Sequence, residues 1–223
     1  MNRVIAIDGP AGAGKSSVSR RVGTLLGFLH VDSGALYRVM TWQALLAGVD
    51  TDDEAALAAF APTVNVDFSV RAGAVVYTVQ GVEPGQAIRT PEINRHASPV
   101  AKAPAVRQRV TDWLRGLRSL GDLIVEGRDI GTVVFPETPA RFYLDAPPEE
   151  RARRRHLEEV QKGMAEQTQA AVMASIVNRD HIDSTRAVAP LRVAEGALVI
   201  DTTSMSFDEV VQTVLDRLPP DWR

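Results

Sequence analysis

The chain of 223 residues contains no cysteine. Disulfides, thiolate catalysis and cysteine-based zinc sites are thereby excluded. Long apolar runs are also missing. The opening stretch MNRVIAIDG carries one basic residue and its apolar part ends at Asp8, too short for a signal peptide or a membrane span. The expectation is a cytoplasmic protein. Basic charge is not in excess: Lys plus Arg number 25 against 28 Asp plus Glu, a formal net charge of -3. A general nucleic-acid or membrane-surface binder is usually basic overall, so the expected partners are small molecules, with neither nucleic acid nor membrane. A monomer is expected, although nothing in the charge or composition fixes the oligomeric state. Aromatic residues make up only 5%, and Trp42, Trp113 and Trp222 read as packing, not as a base-stacking platform. The four histidines, His30, His96, His156 and His181, are widely separated, without metal-ligand spacing. They read as ordinary structural residues.

What is present is an ordinary globular balance, 45% hydrophobic and 24% charged. Short apolar runs at Val4–Ile7, Phe28–Val31, Leu123–Val125, Arg141–Leu144 and Ala197–Ile200 lack alternation, and most end on Asp or Glu. Such runs suit strands buried on both faces, with their acidic ends at the carboxyl edge of a parallel sheet. Between them lie helical stripes: Val18, Val22, Leu25 and Leu26; Val106, Val110, Trp113, Leu114 and Leu117; Val210, Val211, Val214, Leu215 and Leu218. The last stripe follows Ser206-Phe-Asp-Glu209, a capping box. The fold class is α/β with a five-stranded parallel sheet flanked by helices. Thr63–Val70 and Val75–Gly81 break the alternation as a hairpin, punctuated by Pro62, Pro84, Gly85 and Pro91. This predicts an insertion over residues 62–93 in a core of residues 1–61 and 94–223.

The strongest motif is Gly9-Pro10-Ala11-Gly12-Ala13-Gly14-Lys15-Ser16, which fits G-x-x-x-x-G-K-[ST] between an apolar run and a helical stripe. Glycines allow a tight turn whose N–H groups surround phosphate oxygens, and the helix N-terminus adds a favourable dipole. Lys15 faces the β- and γ-phosphates, and the Ser16 hydroxyl suits Mg²⁺. The motif alone does not name a reaction. The Asn-Lys-x-Asp and Asp-x-x-Gly motifs of a GTPase are absent. Arginine is instead placed repeatedly where phosphoryl transfer needs cations. Arg38 follows the second strand and Arg128 the third; Arg151, Arg154 and Arg155 share a helix face, as do Arg179, Asp183 and Arg186. Glu126 and Asp145 read as strand-end carboxylates that shape the site at a distance; Glu126 can also order a magnesium-bound water.

The stretches IDGPAGAGKSS, VDSGALYR, EGRDIGTVVFP, RARRR and RDHIDSTRAVAPL together resemble the bacterial cytidylate (CMP) kinase family of P-loop nucleoside monophosphate kinases, over essentially the whole chain. The resemblance implies ATP and Mg²⁺, a P-loop core, an acceptor-binding insert and a lid at about residues 151–165. It implies that residues Gly9 to Ser16, with Ser17, bind the donor; Ser17 is a departure, since Gly-Thr often stands where Ser16-Ser17 does. It also implies that Ser33, Arg107, Asp129 and Arg186 surround the cytosine, that Ser98, Arg179 and Asp183 approach the sugar, and that Arg38 and Arg128 hold the acceptor phosphate. Arg154 would reach the donor from the lid; Lys15, Arg128 and Arg154 are the implied catalytic set.

The expected reaction is phosphorylation of CMP, and of dCMP as a second acceptor, by ATP. Asp129 can accept from the cytosine amino group, with Ser33 helping, while Arg107 or Arg186 donates to N3 or O2. Two rivals stand beside this reading: a kinase for another small acceptor such as UMP or a shikimate-like metabolite, and a nucleotide sensor that binds without turnover.

Overall fold

A computed structural model describes residues 2–161 and 168–222. The central sheet is ordered β3-β4-β2-β5-β1-β6-β7, from β1 (Val4–Asp8), β2 (Leu29–Asp32), β3 (Asp67–Arg71), β4 (Ala74–Thr78), β5 (Leu123–Gly127), β6 (Ala140–Asp145) and β7 (Leu198–Asp201). The five expected strands, β2-β5-β1-β6-β7, are all parallel to their neighbours. The sheet nevertheless has seven strands, because the hairpin does not stand apart from it. β3 and β4 pair antiparallel from Asp67↔Thr78 to Arg71↔Ala74, across a turn in which Ala72 and Gly73 both have positive φ, 49° and 74°. β4 then joins the edge strand β2 through the single pair His30↔Ala74. One short backbone contact made seven strands where the patterning gave five and a separate hairpin.

The core lies on both faces of the sheet. On β1, Val4 and Ala6 pack to one side with α2 (Ser33–Leu46), α3 (Glu54–Phe60) and α5 (Pro104–Gly116). Ile5 and Ile7 pack to the other with α1 (Lys15–Leu26) and α8 (Phe207–Asp216). This two-sided burial is why the strands read as unbroken apolar runs. Val106, Val110, Leu114 and Leu117 are buried as their stripe predicts, and so are Val210, Val211, Val214 and Leu218; Leu25 is exposed. Ser206 and Glu209 form the capping box. The boundaries expected at about residues 62 and 93 fall within the short turn Ala61–Thr63 and the first turn of α4 (Pro91–Lys102). Of the expected lid, residues 151–161 lie on α6 (Pro148–Gln161), which packs against α7 (Gln169–Thr185); residues 162–165 lie outside the described residues. No described helix is long and apolar enough to cross a membrane.

Candidate active site

The acidic strand ends have separate uses. Asp8 accepts from the N–H groups of Ile130 (2.9 Å) and Gly131 (2.8 Å) and so fixes the wide turn Ile130–Val134. Burial pushes its carboxyl up to about 6. Asp32 caps α2 by accepting from Ala35 N. Asp145 and Asp201 accept from backbone groups beside them. Only Glu126 turns to the P-loop.

The P-loop links β1 to α1 and needs its glycines for closeness. A Cβ on Gly9, at φ 145°, would lie 2.1 Å from the Leu144 carbonyl oxygen. One on Gly12, at φ 79°, would lie 3.1 Å from Arg151. Lys15 is buried and its Nζ donates to Pro10 O at 2.6 Å. Burial first, then the charges of Arg128 and Arg179, push it down to about 7 against the pull of Glu126. The Ser16 hydroxyl donates to Glu126 Oε2 (2.6 Å), and His30 Nε2 meets Glu126 Oε1 (3.1 Å). Burial raises Glu126, but His30, Lys15 and Ser16 together outweigh it and hold the carboxyl below its usual range. His30 is therefore not the bystander that its isolation in the sequence indicates. Ser17 is exposed on α1.

Beside the P-loop, arginine and aspartate alternate in a continuous chain. Arg107, from α5, donates to Asp129 Oδ2 at 2.5 Å and to Ala101 O at 3.0 Å. Asp129 Oδ1 lies 3.5 Å from Arg186 Nη2, and Arg186 Nη1 lies 3.6 Å from Asp183 Oδ1. Asp183 Oδ2 accepts from Arg128 Nε at 2.9 Å and stands 4.0 Å from Arg179 Nε. The side chains of Arg107, Asp129, Arg186 and Asp183 are all nearly inaccessible, at 3 to 6%. Burial raises Asp183, but Arg128, Arg179 and Arg186 outweigh it and hold its carboxyl below the usual range. The Arg107 guanidinium also lies 5.3 Å over the Tyr37 ring. Ser33, at the start of α2, donates its hydroxyl to Glu126 O at 2.6 Å.

Next to this network cations crowd one another. Arg179 is pushed down to about 9, by burial and by Arg128, Arg38 and Arg155 against the pull of Asp183. Arg38 is pushed down to about 10, by burial and by Arg89, Arg155 and Arg128 against Asp32. Lys15, Arg38 and Arg179 are thus each pushed toward losing charge by burial and by nearby cations, with Arg128 acting on all three. An arrangement of this kind is relieved by an anion.

The expected residues do not all converge. Arg38 bonds to Asn94 Oδ1 and, at 3.4 Å, to Ile88 O, tying α2 to the insert. Ser98 sits half-buried on α4, and no hydrogen bond joins it to the arginine–aspartate chain among the described residues. The three arginines of α6 diverge in place of sharing one function. Arg151 is buried against the P-loop. Arg154 binds Glu150 (2.8 Å), Thr202 Oγ1 (2.9 Å) and Thr202 O (2.6 Å), at the end of β7. Arg155 carries its charge toward Arg38 and Arg179 while pairing with Glu159 at 3.1 Å. The residues that sequence reasoning missed are Asp8, His30, Tyr37 and Asp180. Only the position of Asp8, at a strand end before the P-loop, signalled it in advance.

Mg²⁺ takes hard oxygen ligands and keeps several waters beside phosphates. Ser16 and Glu126 offer one hydroxyl with a carboxylate behind it, which fits that requirement. The described residues hold no cluster of three or more His, Asp or Glu that would make an all-protein metal cage.

Comparison with known proteins agrees with this chemistry. A family model for cytidylate kinase matches residues 5–219. The chain is 44% identical over 213 residues to the cytidylate kinase of Shouchella clausii, covering 95% of this chain and 94% of that one. It is 44% identical over 214 residues to that of Mycobacterium leprae, covering 96% and 94%. Among solved structures, an uncharacterized protein from Eubacterium ventriosum aligns over 96% of both chains with a TM-score of 0.52 at 8% identity, a likeness of fold alone.

Proposed function

The chain belongs to the cytidylate kinase family, and we propose from that premise that it transfers the γ-phosphoryl of ATP to CMP, giving ADP and CDP, with dCMP as a second acceptor. The observation that carries the proposal is the junction of two unlike charge arrangements. Three cations pushed toward losing charge, Lys15, Arg38 and Arg179, meet an arginine–aspartate chain whose members are already paired, and Arg128 belongs to that chain while acting on all three.

Phosphates belong to the first arrangement. The P-loop N–H groups and Lys15 hold the donor, and Arg38, Arg128 and Arg179 hold the acceptor phosphate and the sugar beside it. Arg154, and by its placement Arg155, approach from α6. Mg²⁺ would be held by Ser16, with Glu126 ordering a bound water; when bound, the ion neutralises charge on the β- and γ-phosphates. No covalent enzyme intermediate is required. An acceptor phosphate oxygen attacks the γ-phosphorus in line, and the protein positions, neutralises and excludes water. The insert at residues 62–93 and the lid are the segments that close for this purpose.

The base belongs to the second arrangement. A carboxylate between two guanidiniums can only accept, so Asp129 suits the cytosine N4 amino group. Ser33 donates its hydroxyl hydrogen bond to Glu126 O, which leaves its oxygen lone pairs as acceptors toward the same amino group. Arg107 and Arg186 can only donate, toward N3 or O2. Uracil places O4 against these acceptors and N3–H against a guanidinium, mismatching both sides. Such a site rejects the analogue by roughly 10⁴-fold or more. A reaction that consumes ATP fits the cytoplasm, and small-molecule substrates need no further partner than a monomeric chain.

The test is ADP release from ATP and Mg²⁺ with each nucleoside monophosphate in turn. CMP and dCMP should support turnover far better than UMP, AMP or GMP. Equal use of CMP and UMP would overturn the base assignment. Tight ATP binding without acceptor-dependent turnover would make the protein a sensor.

A further inference from the structure

The P-loop is gripped from outside by two residues that the phosphotransfer reading leaves without a task. Asp180, on α7, accepts from Ala11 N through Oδ1 at 3.3 Å. Its Oδ2 accepts from Arg151 Nη1 at 2.5 Å, and the same Nη1 donates to Ala11 O at 2.9 Å. Arg151 is anchored in turn by donating from Nε to Ala146 O at 2.7 Å. Ala11 therefore has its N–H and its C=O held in one closed ring of hydrogen bonds, and Gly12 lies so close that a Cβ would meet Arg151 at 3.1 Å. The carbonyl of the same Pro10–Ala11 peptide receives Lys15 Nζ at 2.6 Å. One peptide unit thus links Lys15 on one side to Asp180 on the other. Asp180 follows Arg179 directly and precedes Asp183 by three residues on α7, the helix that the proposed function assigns to the acceptor.

We propose that Arg151 and Asp180 are positioning residues, which set the orientation of the Pro10–Ala11 peptide and thereby register the phosphate-binding loop against the acceptor helix α7. The physical reason is the loop's own composition. Gly9, Gly12 and Gly14 all take positive φ, and glycine leaves the unclamped loop many alternative conformations. A charged pair, Arg151 buried and Asp180 half-buried, bonded to both polar groups of one loop residue removes that freedom before the nucleotide arrives. Pre-ordering of this kind strengthens binding at the loop without any new contact to the ligand. The inference rests on ATP occupying the P-loop.

The test is calorimetric titration of wild type, Asp180→Ala, Asp180→Asn and Arg151→Lys with Mg²⁺ and a non-hydrolysable ATP analogue, and separately with CMP. Asp180→Ala should weaken the ATP analogue about tenfold while leaving CMP within about twofold. Asp180→Asn should recover part of the loss, because its amide oxygen still accepts one of the two bonds. Arg151→Lys should behave as Asp180→Ala does, since a lysine lacks the planar fork. Unchanged affinity for the analogue in a folded Asp180→Ala protein, or an equal loss for both ligands, overturns the proposal. If Asp180→Ala does not fold, Asp180→Asn decides: wild-type affinity for the analogue overturns, and a selective loss supports. A wild-type protein that fails to bind the analogue overturns the functional reading, and this inference with it.

Discussion

The two halves of the candidate site handle charge in opposite ways. Around the expected base position, Arg107, Asp129, Arg186 and Asp183 neutralise one another, and their side chains are almost inaccessible. Around the expected phosphates, Lys15, Arg38 and Arg179 are all pushed toward losing their protons by burial and by neighbouring cations. A neutral base brings no charge to satisfy a buried ion, so the protein must supply both partners and keep them rigid. Phosphates bring their own anions, so that half can stay unfinished until they bind. Recognition by a fixed hydrogen-bond pattern and recognition by charge need different preparation.

The comparison breaks most sharply at Lys15. Lys15→Met should lower kcat by about 10³-fold with the fold retained, because the side chain is bonded to the loop and not packed as core. Steady-state kinetics with circular dichroism check this, and near-normal turnover in a folded variant would remove Lys15 from the chemistry. The paired half responds differently. Asp129→Ala should lower kcat/KM for CMP by about 10²-fold or more and that for UMP by much less, narrowing selectivity. It should also destabilise the protein by about 3–5 kcal/mol, because the buried Arg107 loses its carboxylate partner and Arg186 keeps only Asp183. Parallel assays on both acceptors, with urea unfolding, separate the two effects.

Asp183 stands where the halves meet, in contact with Arg128, Arg179 and Arg186. Asp183→Ala should raise the KM for CMP by about tenfold while moving the KM for ATP by less than about threefold. The reverse pattern would assign that helix face to the donor. The smallest effect is electrostatic. Lys15 falls from 10.5 in the unfolded chain to about 7 in the folded one. The folded state then holds fewer protons than the unfolded state between these values, so this group makes ligand-free stability rise with pH across that window. At and below pH 7 its penalty is fully present. Lys15→Met removes the penalty. Its stability relative to wild type should therefore be most favourable near pH 7 and decline by more than about 1 kcal/mol toward pH 10. Urea midpoints at the two pH values test it, and a pH-independent difference would show that Lys15 is not desolvated.

What the sequence determined by itself was local. The Gly9–Ser16 loop, the five parallel strands, the Ala72-Gly73 hairpin and the Ser206–Glu209 capping box are each written in contiguous residues, because tight turns, caps and two-sided strands place demands on neighbours in the chain. The pairing of Asp183 with Arg179 and Arg186 was legible for the same reason, through helical spacing. What only the tertiary structure decided joins residues far apart. Arg151, Arg154 and Arg155 look equivalent by spacing, yet Arg151 reaches Ala11, 140 positions away, Arg154 reaches Thr202, 48 away, and Arg155 turns its charge to Arg38 and Arg179. His30 has no meaning until β2 lies beside β5 and brings it to Glu126, 96 positions on. The single pair His30↔Ala74, which adds the hairpin to the sheet, is of the same kind. Periodicity states which residues share a face of one element; which partner that face meets depends on how the elements stack, and buried charges take the partner that the packing supplies.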